Sequence, residues 1–143
     1  MGNQTAASDL SMLAERGITH VVNCTDDIPN YHDGKLAYLN FPICDWQYTV
    51  GPTNEGVLAF VRPLFAFMDP VINRGASVLV HCLAGAHRAG TTGCACRVHY
   101  ASMDAATATR TAKALRSIIE PIYDFAEFLK RLDAAEAGAR KKK

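Results

Sequence analysis

The most constraining feature of this 143-residue chain is a segment near its middle that combines an apolar run, a short loop and a helix-forming stretch. Residues 76–81 are mostly β-branched and aliphatic and predict a buried strand, while residues 89–102 predict a helix. The loop between them then lies at a helix N-terminus, where backbone N–H groups and the positive end of the helix dipole converge. The segment therefore predicts an anion-binding site.

Two side chains of this loop indicate what the anion site does. Cys82 opens the loop, and a cysteine held in positive potential is expected to be a thiolate, although a free cysteine is by default a packing residue. Arg88 closes the loop with a planar guanidinium that can hold two oxygens of a phosphoryl group. A nucleophile and a permanent cation in one anion cradle favour phosphate-ester chemistry. The backbone amides expected to bind the phosphate belong to Leu83, Ala84, Gly85, Ala86, His87 and Arg88.

The run from His81 to Arg88 resembles the His-Cys-x5-Arg loop of the protein tyrosine phosphatase superfamily, in the form found in small (atypical) dual-specificity phosphatases. The resemblance implies that Cys82 attacks phosphorus and forms a phosphocysteine intermediate, and that Arg88 stabilises the transition state. It also implies that His81 supports the cysteine by hydrogen bonding. The expected substrates are phosphotyrosine and phosphoserine or phosphothreonine in proteins.

A general acid is needed as well, because an alkoxide is a poor leaving group. Asp45 lies 37 residues before Cys82, after the second predicted strand, and resembles the general-acid loop of the family in spacing and context. A solvated loop aspartate is the alternative interpretation of Asp45. Asp26 and Asp27 are weaker candidates, since they lie in a turn-like stretch.

The first turn of the helix that follows contains further candidates for supporting roles. The hydroxyl of Thr91 or Thr92 could donate to the loop, or merely help to cap the helix. His87 is expected to face outward. Ala89 departs from the pattern of many relatives, which have Ser or Thr directly after the arginine to ease departure of the thiolate. Alanine also occurs there in the regenerating-liver type phosphatases, and slow breakdown of the phosphocysteine is the expected consequence.

Cys24 is a candidate redox partner of the nucleophile. It ends the first predicted strand, and residues 19–24 align without gaps with the strand in which regenerating-liver type phosphatases keep a cysteine that bonds to their nucleophile. A nearby thiol can trap an oxidised cysteine reversibly as a disulfide. The alternative is that Cys24 is only a small buried apolar residue.

Strands alternate with helices along the chain, which indicates an α/β domain with a largely parallel central sheet. Asp69-Pro70 is typical of a new helix start, so the stretch to residue 73 is predicted as a separate turn. The order of elements resembles the cysteine-based phosphatase fold, which implies about four to five strands flanked by helices, with the front strands shortened or missing. We expect strands at 18–24, 36–41 and 76–81, and helices at 9–16, 53–68, 89–102, 104–116 and 121–136.

Composition places these elements in one globular domain, with 49% hydrophobic residues and a formal net charge of +1. That charge gives no strong attraction to nucleic acid, and no apolar stretch is long enough to span a bilayer. Five cysteines, an odd number, favour a reducing compartment, the cytoplasm or the nucleus. We predict a catalytic domain over residues 1–137 and a basic tail over 138–143. The oligomeric state stays open, with a monomer favoured over an oligomer.

A metal site and two other functions are the alternatives to this prediction. Cys94 and Cys96 are two residues apart on a predicted helix and face different sides, so they do not form a zinc knuckle with His81, Cys82 and His87. Neither a metal nor an organic cofactor is expected. Phosphoinositide-specific members of the family it resembles tend to have lysines in this loop, so their absence here favours a phosphoprotein over a polyphosphorylated lipid. A phosphoinositide, nucleotide or phosphoglucan substrate stays an alternative. A weakly active phosphoprotein-binding module is the other alternative.

Overall fold

The structure, a computed structural model, describes residues 1–142 and forms an α/β domain around a parallel sheet. The strands are β1 (His20–Asn23), β2 (Ala37–Asn40) and β3 (Val78–His81), and they lie in the order β2-β1-β3. Because successive side chains of a strand point to opposite faces, Val21 and Val22 of the central strand β1 pack into two separate clusters. Burial on both faces explains why β1 and β3 have consecutive apolar residues, whereas the edge strand β2 is partly exposed.

Seven helices surround the sheet within the described residues. Side-chain caps begin several of them: Thr53 accepts a hydrogen bond from the Gly56 N–H, and Asp104 accepts one from the Thr107 N–H. A short 3-10 turn at Ile43–Asp45 precedes the third helix. The helices are α1 (Gln4–Ser8), α2 (Leu10–Glu15), α3 (Trp46–Thr49), α4 (Asn54–Asn73), α5 (Arg88–Ala101), α6 (Ala105–Leu115) and α7 (Phe125–Lys141).

The main hydrophobic core lies between one face of the sheet and helices α4, α5, α6 and α7. Aromatic rings join its parts: Phe60 of α4 and Trp46 of α3 both pack against Phe128 of α7, with ring centroids 5.9 and 5.6 Å apart. A smaller cluster covers the opposite face and includes Leu13 of α2 with Ile18. This packing holds the ends of the strands, where the predicted site lies, on a rigid base.

The predicted separate turn at Asp69-Pro70 is wrong, because α4 continues through Pro63 and Pro70 to Asn73. A proline inside a helix removes one backbone hydrogen bond and usually breaks the helix. Here an unbroken buried stripe outweighs that cost, because it anchors the helix on both sides of each proline. The stripe consists of Val57, Phe60, Val61, Leu64, Phe65, Met68 and Val71.

Other differences concern the edges of the domain. Three strands are present within residues 1–142, fewer than the four or five expected, and the position beside β3 is occupied by a single bridge between Gly2 and His81. Helices α1 and α3 were not predicted. Helix α7 begins later than predicted and continues to Lys141, so most of the expected basic tail is helical. Residue 143 lies outside the described residues, and the domain boundary at 137 stays a prediction.

Candidate active site

The candidate site lies where the three parallel strands end together. Asn23 of β1 pairs with Asn40 of β2 on one side and with His81 of β3 on the other. The residues that follow are therefore brought to one edge of the sheet, with Cys24 after β1 and Cys82 after β3. This is the edge at which open parallel sheets bind their ligands.

The loop after β3 is tied from outside through its carbonyl groups. Leu83 accepts a hydrogen bond from the Gln4 N–H (2.9 Å), Ala84 from Nη2 of Arg116 (3.2 Å), and Ala86 from the Glu120 N–H (2.9 Å). In a planar trans peptide the carbonyl and the next N–H point in opposite directions. The N–H groups of the residues that follow these carbonyls are therefore turned inward, which makes the loop a cradle of donors for an anion.

Gly85 shows this inward orientation directly. Its N–H donates to Sγ of Cys82 at 3.3 Å, on the side opposite the Ala84 carbonyl that Arg116 holds. Gly85 has a φ of +74°, and an added Cβ would lie 2.7 Å from the carbonyl oxygen of Gly2 and 2.7 Å from Nη2 of Arg116. Only glycine fits, both because of the backbone conformation and because two neighbours approach closely.

Arg88 begins helix α5, so its guanidinium and the helix N-terminus lie next to the same loop. Its Nη1 is 3.8 Å from Oδ1 of Asp27, a residue in the turn after β1. The Arg88 side chain is 24% exposed and that of Asp27 is 74% exposed, so the pair lies at the mouth of the site. The sequence indicates Asp27 only as a minor candidate for the general acid.

Asp45 ends the 3-10 turn after β2 and is held in place by its neighbours. Ile43 and Trp46 on either side of it are buried in the core, and the indole N–H of Trp46 donates to Oδ2 of Asp124 at 2.8 Å. The Asp45 residue itself stays exposed. Packing thus anchors the backbone of this segment while leaving a carboxyl group at the surface.

Asp45 and Arg88 line the same cleft, which has a volume of about 370 Å³. The structure therefore brings together these two predicted site residues across the end of the sheet. Cys82 does not line this cleft, because its side chain is 3% exposed and lies within the adjoining loop. Other lining residues are Cys24, Thr25, Asp26, Asn40 and Cys44.

Cys24 follows β1, next to the strand β3 that leads into Cys82, and is part of the main hydrophobic core. Its N–H donates to the carbonyl of His81 at 2.9 Å, and its thiol donates to Oγ1 of Thr92 at 3.4 Å. Burial raises the pKa of Cys24 to about 12, with smaller influences from Thr92, which lowers the pKa, and from Cys82, which raises it. Cys24 is therefore a protonated thiol at neutral pH.

The supporting residues differ in how they meet the loop. Thr92 donates its hydroxyl to the carbonyl of Arg88 at 2.9 Å, within its own helix, and the hydroxyl of Thr91 has no partner in residues 1–142. Neither hydroxyl bonds to the loop before Arg88. His87 is exposed, as expected, and its Nδ1 lies 2.8 Å from the carbonyl of Glu120.

His81 is fully buried beneath the loop. Burial lowers its pKa, and the Cys82 backbone partly offsets that effect, although neither ring nitrogen forms a hydrogen bond of good geometry within residues 1–142. His81 is therefore neutral near pH 7, and the predicted hydrogen bond to the cysteine stays a prediction.

Sequence reasoning missed the residues that hold the loop from outside. Arg116 and Glu120 come from the segment after α6, and Gln4 from the first helix. No short motif signals these contacts, since two of them are made by backbone N–H groups. Within residues 1–142 no three His, Cys, Asp or Glu side chains cluster as metal ligands, and no helix is long and apolar enough to cross a membrane.

Comparison with known proteins agrees with this geometry. A family profile described as "Dual specificity phosphatase, catalytic domain" matches residues 1–134. The chain is 31% identical over 133 residues to dual specificity protein phosphatase 2 of Mus musculus, covering 93% of the chain and 40% of that protein. It is 29% identical over 125 residues to the protein phosphatase Slingshot homolog of Xenopus laevis, covering 87% of the chain and 17% of that protein. It thus spans well under half the length of these relatives.

A solved structure is similar over most of the chain as well. The crystal structure of human DUSP28 superposes with a TM-score of 0.78 at 25% identity, covering 94% of this chain and 87% of that one. The fold and the His-Cys-x5-Arg loop agree with the profile match over residues 1–134. The chain therefore belongs to the family of dual-specificity phosphatase catalytic domains.

Proposed function

We propose that this domain is a cysteine-dependent phosphatase that removes phosphate from tyrosine, and from serine or threonine, in proteins. The observation that carries the proposal is the loop of residues 82–88, whose carbonyls are tied outward while the Gly85 N–H points at Cys82. Such a loop holds donors in place before the reaction, so they stabilise developing charge without reorganising. Arg88 and Asp45 at one cleft add a phosphate-binding cation and a proton source.

In the first step, Sγ of Cys82 forms a bond to phosphorus while the bond from phosphorus to the ester oxygen breaks. Asp45 gives its proton to that oxygen, so an alcohol or phenol leaves. In the second step, water attacks the phosphocysteine, Asp45 takes a proton from it, and the thiolate of Cys82 leaves. The loop amides and Arg88 hold the equatorial oxygens in both steps, without a metal or an organic cofactor.

Charge at the cleft favours a phosphoprotein over a polyphosphorylated lipid, nucleotide or phosphoglucan. Arg88 is the one Lys or Arg residue among the side chains that line the cleft, whereas Asp26 and Asp45 are both acidic. A ligand with several phosphates would place its remaining anionic groups against these carboxylates. The second alternative, a weakly active binding module, is favoured by Ala89, which leaves no hydroxyl after the arginine, and by the sheet of three strands within residues 1–142.

The thiol of Cys24 is proposed as a redox partner of Cys82. Both residues follow the paired Asn23 and His81, and neighbouring strands lie about 4.8 Å apart, which is within the separation of about 7 Å that a disulfide allows. Burial of Cys24 makes it a slow nucleophile, so the bond would form after a peroxide oxidises Cys82 to a sulfenic acid, from which the Cys24 thiol then displaces water. All five cysteines are free, which accords with a reducing compartment such as the cytoplasm or nucleus.

The test is turnover of an aryl phosphate, matched phosphotyrosine and phosphothreonine peptides, and a phosphoinositide. We expect hydrolysis of the first three, with Cys82→Ser inactive and Cys96→Ser, changed outside the cleft, retaining activity. Arg88→Lys should lose nearly all activity, because an ammonium cannot form the bidentate contact. Activity of Cys82→Ser equal to that of the unmodified protein would remove the proposal. Preferential turnover of the phosphoinositide would favour a non-protein phosphate as the substrate.

A further inference from the structure

Asp27 stands beside the cation that is proposed to bind phosphate. Its Oδ1 is 3.8 Å from Nη1 of Arg88, and its side chain is 74% exposed. A pair at this distance in which one partner is largely exposed contributes little to stability. Because the pair lies at the mouth of the proposed phosphate site, the charges of both side chains act on any ligand that binds there.

The turn that carries Asp27 is held by other side chains. Asn23 accepts hydrogen bonds from the N–H and the hydroxyl of Thr25, and its amide donates to the carbonyl of Ile28. The hydroxyl oxygen of Thr25 in turn accepts from the Ile28 N–H. No side-chain hydrogen bond within residues 1–142 involves the carboxylate of Asp26 or Asp27. The hydrogen bonds of Asn23 and Thr25 therefore hold the turn without these two acids. Within residues 1–142, the shape of the turn does not require a pair of carboxylates.

Both acids face the substrate side of the turn. Asp26 lines the cleft together with Arg88 and Asp45, and Asp27 contacts Arg88 directly. These charges also affect Cys44. Burial is the largest cause of the raised pKa of Cys44, the positive charge of Arg88 lowers that pKa, and the carboxylates of Asp26, Asp45 and Asp124 raise it further. The side chains of Asp26, Asp27 and Asp45 thus form an acidic rim beside the guanidinium of Arg88.

Binding of a phosphoryl group brings new negative charge next to this acidic rim. The dianion takes the place of Asp27 at Arg88, which leaves the Asp27 carboxylate without its cation and close to new negative charge. A positive group on the substrate would offset that repulsion, whereas a second anion would add to it. The chemical identity of the neighbouring substrate residue therefore determines part of the binding affinity.

We propose that Asp27, together with Asp26, is a specificity-determining residue that selects phosphoproteins with Lys or Arg next to the phosphorylated residue. The inference rests on the proposed function, because it takes the loop of residues 82–88 as the phosphate site. The inference concerns substrate recognition and not the chemical step, so it is tested by measuring binding affinity.

The experiment measures the affinity of Cys82→Ser for three fluorescent phosphotyrosine peptides that differ only in having Arg, Ala or Glu on both sides of the phosphotyrosine. We expect the Arg peptide to bind about tenfold more tightly than the Glu peptide at low salt, as several exposed charge pairs give. High salt should shrink that ratio. Adding Asp26→Asn and Asp27→Asn should reduce it to about twofold or less. The matched control is Glu15→Gln, an exposed acid of α2 at the opposite end of β1, which should keep the ratio.

Equal affinity for the Arg and Glu peptides, tighter binding of the Glu peptide, or an unchanged ratio in the double Asn variant would each overturn the inference. Absence of binding to all three peptides would overturn it as well. Turnover is measured separately with the unmodified cysteine. An inactive protein that still binds the Arg peptide selectively would refute the proposed hydrolysis and uphold the charge selection.

Discussion

Replacing Gly85 by alanine should damage catalysis far more than the same change at Gly75. Both glycines have a φ of +74°, so alanine suffers the same left-handed strain of about 1–2 kcal/mol at either position. A Cβ at Gly75 meets nothing within 4 Å, whereas one at Gly85 lies 2.7 Å from the Gly2 carbonyl and from Arg116. Overpacking of this kind costs about 1–3 kcal/mol. Gly85→Ala should therefore lower the free energy of unfolding by about 2–5 kcal/mol.

The catalytic effect follows from the contact that Gly85 makes. Relief of the clash displaces the Gly85 N–H, which donates to Sγ of Cys82 at 3.3 Å, and with it the adjacent amides of the anion cradle. Loss of one such donor lowers turnover by about 10²–10³-fold. Urea unfolding and kcat/KM for an aryl phosphate test both variants, and Gly75→Ala should keep kcat/KM within about twofold because its site is open. Retention of most of kcat/KM by Gly85→Ala would refute the role of the tied loop.

Three further predictions concern individual groups. Asp45→Asn should lower kcat about 10²–10⁴-fold for alkyl phosphates and much less for an aryl ester with a good leaving group, and an equal loss on both substrates would contradict a role as proton donor. The lowered pKa of His81 means that, below about pH 6.5, the unfolded chain binds a proton that the folded chain does not. The free energy of unfolding, measured with urea, should therefore fall from pH 7 to pH 5.5 by up to about 1.4 kcal/mol per pH unit, and it should fall less in His81→Gln. Equal slopes for the two proteins would contradict this assignment to His81. Peroxide should inactivate the protein reversibly, and full recovery of Cys24→Ser with a thiol reductant would contradict the disulfide.

Sequence patterns captured the parts of the site that are contiguous in the chain. The strand, loop and helix around Cys82 could be predicted because their signals are local: apolar residues, then glycine, then helix formers. Asp45 was a candidate because its spacing and context resemble the general-acid loop of the family, and in the structure it ends the 3-10 turn after β2. Local patterns did not predict that α4 would continue through Pro70, because the buried stripe that sustains it depends on tertiary packing.

Contacts between distant segments could not be predicted from patterns. The Ala84 carbonyl is held by Arg116, 32 residues later, and the Leu83 carbonyl by the backbone of Gln4. A backbone donor leaves no trace in residue identity, and a lone arginine after a helix has many other roles. Asp27 was similarly invisible as a partner of Arg88, because the two meet only when β1 and β3 are paired.

We expect Ala89 to make the second step of the proposed reaction the slower one. When the phosphocysteine breaks down, the Cys82 sulfur leaves with a negative charge, and the structure offers it the Gly85 N–H. Thr92 cannot add a donor, because its hydroxyl already donates to the Arg88 carbonyl. Turnover of an aryl phosphate should therefore show a burst of phenol followed by a slow steady state. Ala89→Ser should raise the steady-state rate about tenfold or more and leave the burst rate unchanged, since a hydrogen bond to a charged group is worth about 1.5–3 kcal/mol. Ala95→Ser, at another fully buried alanine of α5, controls for the burial of a hydroxyl and should not raise the rate. A linear time course without a burst, together with an unchanged rate in Ala89→Ser, would show that breakdown of the phosphocysteine does not limit this enzyme.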